Sequence, residues 1–138
     1  MARRRSMTIK KGTIVYHGTS ARGFETLEGP AWVTTSISVA DVFVWRYTGP
    51  SPRVLVFQTT KPVKLMLIES QRDLFDAIIE TGADPVSEMS EIAEAFADHF
   101  GTTYDGWIIP DNYPDGDDIL LVDPGSVLEP IGVLKRKR

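Results

Sequence analysis

The 138 residues contain no cysteine. Disulfides, thiolate metal sites and cysteine nucleophiles are thereby excluded, and the chain suits a reducing compartment. Histidine is scarce too, with two copies in all. No cluster of histidines or cysteines at metal-ligand spacing is present, so no metal is expected. No apolar run approaches the roughly 20 residues that a membrane helix needs. The basic N-terminus has no apolar segment behind it of the kind a secretory signal requires. Together these absences predict a cytoplasmic protein without a membrane partner. Nor is there an excess of positive charge. Fifteen Lys and Arg against 19 Asp and Glu leave a net charge of -4, which argues against broad charge-driven binding to nucleic acid.

The composition is otherwise that of a globular domain, with 42% hydrophobic and 25% charged residues, and its length suits one domain spanning 1–138. The basic residues are segregated. "RRR" stands at Arg3 to Arg5 and "KRKR" at Lys135 to Arg138, so residues 1–8 and 134–138 are expected as flexible, solvated tails.

Strand signals come first. "GTIVYHG" and "AWVTTS" carry β-branched and aromatic residues. "SISVADVFVW" then changes to helical period, with Ser38 as N-cap and Ala40, Phe43, Val44 and Tyr47 on one face. "RVLVFQTT" and "VKLMLI" read as strands joined through Lys61-Pro62. Ser70 to Phe100 reads as two helices parted by "TGADP", with Ser87 capping the second. "YDGWIIP" is a strand, "DNYPDGDD" an acidic turn, "ILLV" a strand, and "GSVLEPIGVL" a last extended segment. The fold class is α+β.

Three places offer chemistry. In "IVYHGTS" a strand delivers His17, which can hydrogen-bond or ionise, beside Gly18, whose bare backbone a ligand can approach. A histidine at a strand end is also a common structural group. In "WVTTS" alternation puts Thr34 and Ser36 on one face and Thr35 on the other, although threonines also simply favour strands. "PDGDDILLVDP" brings two adjacent carboxylates, Asp117 and Asp118, to the start of an apolar strand, and alternation lets one of them point into a given site. Taken singly, it reads as an acidic, soluble turn.

In this order, "YHGTS", "WVTTSISVADVFVW", "TYDGWIIP" and "DDILLVDPGSVLEPI" resemble the ADP-ribosyltransferase superfamily. They are most similar to its small phage and bacterial members with the histidine–tyrosine–glutamate arrangement of diphtheria toxin and the poly-ADP-ribose polymerases. The resemblance spans Ile14 to about Ile131. It implies a compact split β-sheet fold with a few helices, and NAD+ as co-substrate in a cleft between two small sheets.

It further implies roles for particular residues. His17 would bond a ribose hydroxyl, the Gly18 backbone would hold the nicotinamide carboxamide, and Thr19 would support that turn. Thr34, Thr35 and Ser36 match the family's hydroxyl triplet. Phe43 matches the aromatic that stacks on nicotinamide, with Tyr47 as the alternative. Asp118 stands where the family has its catalytic glutamate, with Asp117 the alternative one position earlier, and aspartate is one methylene shorter. Gly116, at the position that contacts the acceptor in relatives, has no side chain, leaving Asp115 nearest.

The implied function is NAD-dependent mono-ADP-ribosylation of a macromolecular target, a protein rather than a nucleic acid, by a toxin-like phage or mobile-element effector. The target would be a host or defence component in the bacterial cytoplasm. The alternative is a catalytically inactive protein of the same fold that acts by direct association with a partner. A 2′-phosphotransferase of the same superfamily wants grouped arginines, whereas Arg22, Arg46, Arg53 and Arg72 are scattered singly. An unrelated α+β scaffold would leave His17 and Asp118 without roles.

Overall fold

A computed structural model of the chain describes residues 4–23, 26–46, 48–114 and 116–137. Its elements run β1 (Ser6–Ile9), β2 (Ile14–Thr19), β3 (Ala31–Val33), α1 (Ile37–Arg46), β4 (Arg53–Thr59), β5 (Val63–Leu67), α2 (Gln71–Glu80), α3 (Met89–Phe100), β6 (Gly106–Tyr113), β7 (Gly116–Leu121) and β8 (Leu128–Lys135). A 3-10 turn at Pro124–Ser126 leads into β8. The strands form a five-stranded sheet, in the order β1-β5-β6-β7-β3, and a three-stranded sheet, β2-β4-β8. This is the expected α+β fold with a split sheet.

Period-two alternation builds the core. Val63 and Leu65 of β5, Ile108 of β6 and Ile119 of β7 meet Val15, Leu55 and Phe57 of the small sheet in one buried cluster. The intervening positions Met66, Trp107 and Leu120 face the other way, against Ala77, Ile78, Ile92, Ala93 and Phe96 of α2 and α3. These two helices form the long crossover that the parallel β5–β6 pair requires. The other strand pairs are antiparallel.

The third contact positions the site. Ala40 and Val44 of α1 pack on Tyr16 and Val54, on the outer face of the small sheet. The helix lies so close to β2 that a Cβ on Gly18 would stand 1.9 Å from the Ala40 carbonyl oxygen. Gly18 is therefore required for packing, beyond any use of its backbone by a ligand.

Several expectations are corrected. The segment 1–8 is not simply a tail: from Ser6 it forms edge strand β1, and Arg4 bridges Asp73 at 2.8 Å and Glu80 at 3.0 Å. Residues 1–3 lie outside the described part. At the other end, β8 continues through Lys135, and Arg136 binds Asp41 at 2.8 Å, so 134–136 are also held. Helix α1 begins at Ile37, and its cap is Ser36, whose Oγ accepts from Val39 N at 3.3 Å, rather than Ser38. Helix α3 follows Glu88 instead of a Ser87 cap. The supposed acidic turn is mostly strand, since β6 runs on to Tyr113 and β7 resumes at Gly116.

Candidate active-site cleft

Among the described residues, an isolated bridge joins the two sheets. Tyr16 and Thr34 form it, with Tyr16 N donating to Thr34 O at 2.8 Å and Thr34 N to Tyr16 O at 3.0 Å. Beyond it β2 and β3 diverge and open a cleft of about 450 Å³. By ladder alternation, the N–H and C=O of Gly18 turn the same way as those of Tyr16, toward the side where β3 has left.

His17 bridges the opening. Its Nδ1 donates to the Trp32 carbonyl at 2.6 Å. A carbonyl only accepts, so Nδ1 carries the proton and neutral Nε2 is left as an acceptor. Burial holds the imidazole pKa below its ordinary value; the Trp32 bond opposes this and the nearby Arg53 charge reinforces it. His17 is therefore a neutral acceptor at pH 7. Arg53, itself buried, donates to the carbonyls of Ala21 at 2.6 Å and Ser51 at 2.8 Å, tying down the segment after β2. Thr19 also supports that turn, its Oγ1 accepting from Ala21 N at 3.2 Å.

The paired carboxylates divide as alternation requires. Asp117 accepts from Thr34 Oγ1 at 2.8 Å, Thr35 N at 2.9 Å and Thr35 Oγ1 at 2.6 Å. Asp118 instead lines the cleft and is 5% exposed. Asn112 Nδ2 donates to its Oδ2 at 3.2 Å. Its buried Oδ1 finds no hydrogen-bond partner among the described residues. Burial raises the Asp118 pKa to about 6, opposed by the Asn112 bond; Asp117 adds to the rise and Arg46 offsets part of it. Such a displaced carboxyl in a cleft marks a candidate functional group.

Aromatic rings close the far wall. Phe43 and Tyr113 meet edge to face with centroids 5.7 Å apart, and the Arg46 guanidinium sits 4.9 Å from the Phe43 centroid. Both rings and Arg46 line the cleft.

Of the residues singled out in the sequence, the fold gathers His17, Gly18, Thr19, Thr34, Phe43 and Asp118 around this one cleft. Thr35 and Ser36 do not line it. The alternation expected for the hydroxyl triplet fails because β3 ends at Val33. The chain then bends, so that Thr34 and Thr35 both reach Asp117 and Ser36 caps α1. The two threonines thereby tie the end of β3 to β7. Tyr47, the alternative aromatic, and Asp115 lie outside the described residues. Sequence reasoning missed Tyr16, Arg46, Tyr113 and Asn112. Arg46 had a usable signal, since it stands three residues after Phe43 on the same helix.

Among the described residues, no group of three or more His, Asp or Glu is placed to hold a metal, and no helix is long and apolar enough to cross a membrane.

No protein-family model and no curated protein matches the chain. The fold is similar to that of a chain in the crystal structure of the M. tuberculosis MbcT-MbcA toxin-antitoxin complex. The TM-score is 0.58 at 12% sequence identity, covering 94% of this chain and 87% of the other.

Proposed function

We propose that the cleft binds NAD+ and that the chain breaks the nicotinamide–ribose bond and passes ADP-ribose to a macromolecular acceptor, with a protein the expected one. One observation carries the reading: the cleft contains a buried carboxylate with an unpartnered oxygen, Asp118 Oδ1. The sequence resemblance puts that residue where the superfamily has its catalytic acid. The similar fold of a chain in a toxin–antitoxin complex supports a toxin-like effector with a protein partner, and the sequence resemblance suggests work in a bacterial cytoplasm on a host or defence component.

The chemistry follows from the groups present. As the C–N bond breaks, its electron pair leaves on the nicotinamide nitrogen, which becomes neutral. The ribose carbon is left with oxocarbenium character, and the buried Asp118 carboxylate stabilises that charge. The acceptor nucleophile forms the new bond to the same carbon and releases its proton to water. Neutral His17 Nε2 accepts from a ribose hydroxyl, the Gly18 backbone receives the carboxamide, and Phe43 supplies a flat face for the nicotinamide ring.

Replacing His17 removes one bond to the ligand. His17→Ala is expected to weaken NAD+ binding by about 1–2 kcal/mol, roughly tenfold in dissociation constant. Calorimetry on a variant with a wild-type melting profile checks this, and an unchanged dissociation constant returns His17 to a purely structural role.

The competing reading is an inactive protein of this fold that acts by direct association. In its favour, Asp118 is shorter than the family glutamate and Arg46 already covers part of Phe43. Calorimetric titration with NAD+, followed by assay for released nicotinamide, separates the two. Binding without release favours the inactive protein.

A further inference from the structure

We propose that Asn112 is a positioning residue for Asp118, holding Oδ2 so that Oδ1 is presented to the cleft. The geometry originates in an irregularity of the β6–β7 ladder. Ile109 pairs with Asp118 and Tyr113 with Gly116, so Pro110, Asp111 and Asn112 stand against Asp117 alone. Proline has no N–H to give to a ladder, and such bulges re-aim side chains.

In an unbroken strand Asn112 would face away from Ile109 and Tyr113, and therefore away from Asp118. The bulge frees it from that alternation, and its Nδ2 reaches Asp118 Oδ2 at 3.2 Å. The amide has a defined sense. A carboxylate takes the NH2 end, which leaves Asn112 Oδ1 to accept from Gln71 Nε2 at 3.4 Å. Gln71 is the first residue of α2, whose first turn is fixed by Ser70 Oγ accepting from Asp73 N. A helix end thus backs the amide, and the amide backs the acid.

The charged and titratable groups around Asp118 are Asp117 on β7, Arg46 on α1, His17 and Tyr16 on β2, and Tyr113 on β6. Of these, Arg46 favours the ionised form and Asp117 opposes it. Asn112 also favours the ionised form, and it is the group that bonds Asp118 directly.

The role in turnover rests on the NAD+ reading above, whereas the effect on the carboxyl does not, so the test is run first without ligand. The Asp118 side-chain carboxyl carbon is followed by NMR across pH, its signal assigned by its loss in Asp118→Asn. In Asn112→Leu and in Asn112→Ala the midpoint is expected to rise by about one pH unit, the amount one lost bond to a charged group represents. Midpoints unchanged from wild type in folded variants would overturn the proposal. So would failure of both variants to fold, which would make Asn112 a folding residue.

Turnover then provides a second readout. If NAD+ is cleaved, kcat/KM of both variants should fall several-fold near pH 6 and recover above pH 8, with affinity for NAD+ little changed. Values of kcat/KM equal to wild type at every pH, near pH 6 included, would overturn the role of Asn112 in turnover. If the midpoint rises but wild type never cleaves NAD+, the action of Asn112 on Asp118 stands and the functional reading fails.

Discussion

Asp118→Asn is expected to lower NAD+ turnover by about a hundredfold or more while leaving the dissociation constant for NAD+ within about a factor of two. A carboxylate aimed at charge that exists only in the transition state contributes little to ground-state binding, so its removal appears in kcat and hardly in affinity. The ionised form does this work. With the pKa at about 6, kcat/KM of the wild-type protein should rise with pH through that value and level off above it.

Stability should move in the opposite direction. Folding raises the Asp118 pKa from 3.8 to about 6, so ionisation opposes folding fully above the higher value, and the opposition fades as pH falls between the two and is gone below the lower one. At neutral pH the cost is as much as about 3 kcal/mol. Asp118→Asn should therefore melt higher than wild type at pH 7, with the difference gone below about pH 4. A variant that is inactive and destabilised at pH 7 would contradict this account of the acid. Asp117→Ala tests the register. Asp117 anchors Thr34 and Thr35, so its loss should lower the melting temperature, and residual activity in the folded fraction should exceed that of Asp118→Asn.

Gly18→Ala is the second large effect. The new methyl carbon would stand 1.9 Å from Ala40 O, 2.8 Å from Ala40 C and 3.1 Å from Val44 N. All three are helix backbone, which cannot swing aside as a side-chain tip can. Helix α1 must move as a body, carrying with it Phe43 and Arg46, which line the cleft. Overpacking of this kind costs on the order of 3 kcal/mol, or about 10 °C in melting midpoint for a chain of this size. NAD+ binding should weaken in the same variant even where it remains folded. A melting curve within a degree of wild type would show that α1 can retreat freely and that its fit against β2 is loose.

The fold class was legible because the two hydrophobic periods are clean where they matter. β4 and β5 alternate or run apolar between turn residues, and α3 places Ile92, Ala93 and Phe96 on one buried face. β1 was not legible. "SMTI" is short and flanked by basic residues, and its pairing to Met66 through Val63 is a tertiary event. The start of α1 was ambiguous for a different reason, since Ser36 and Ser38 are both good caps two residues apart. That ambiguity misplaced the hydroxyls, because alternation was extended past the point where the strand ends.

Alternation made it legible that one of Asp117 and Asp118 faces a given site, the sequence resemblance favoured Asp118, and it is Asp118 that lines the cleft. Asn112 was not legible. Its approach to Asp118 depends on the excess of residues on β6, and a count along one strand does not reveal what its partner omits. Tyr113 was hidden likewise, within what read as an acidic turn.

Cleavage of NAD+ in the cleft through Asp118 can be tested directly. The most direct measurement incubates wild type and Asp118→Asn with NAD+ labelled on the adenosine side in bacterial lysate, follows nicotinamide release, and identifies the labelled species by mass spectrometry. Nicotinamide release and ADP-ribose on a macromolecule are expected with wild type, and neither above background with the variant. Release and labelling at equal rates by both proteins, or by neither, would contradict cleavage through Asp118.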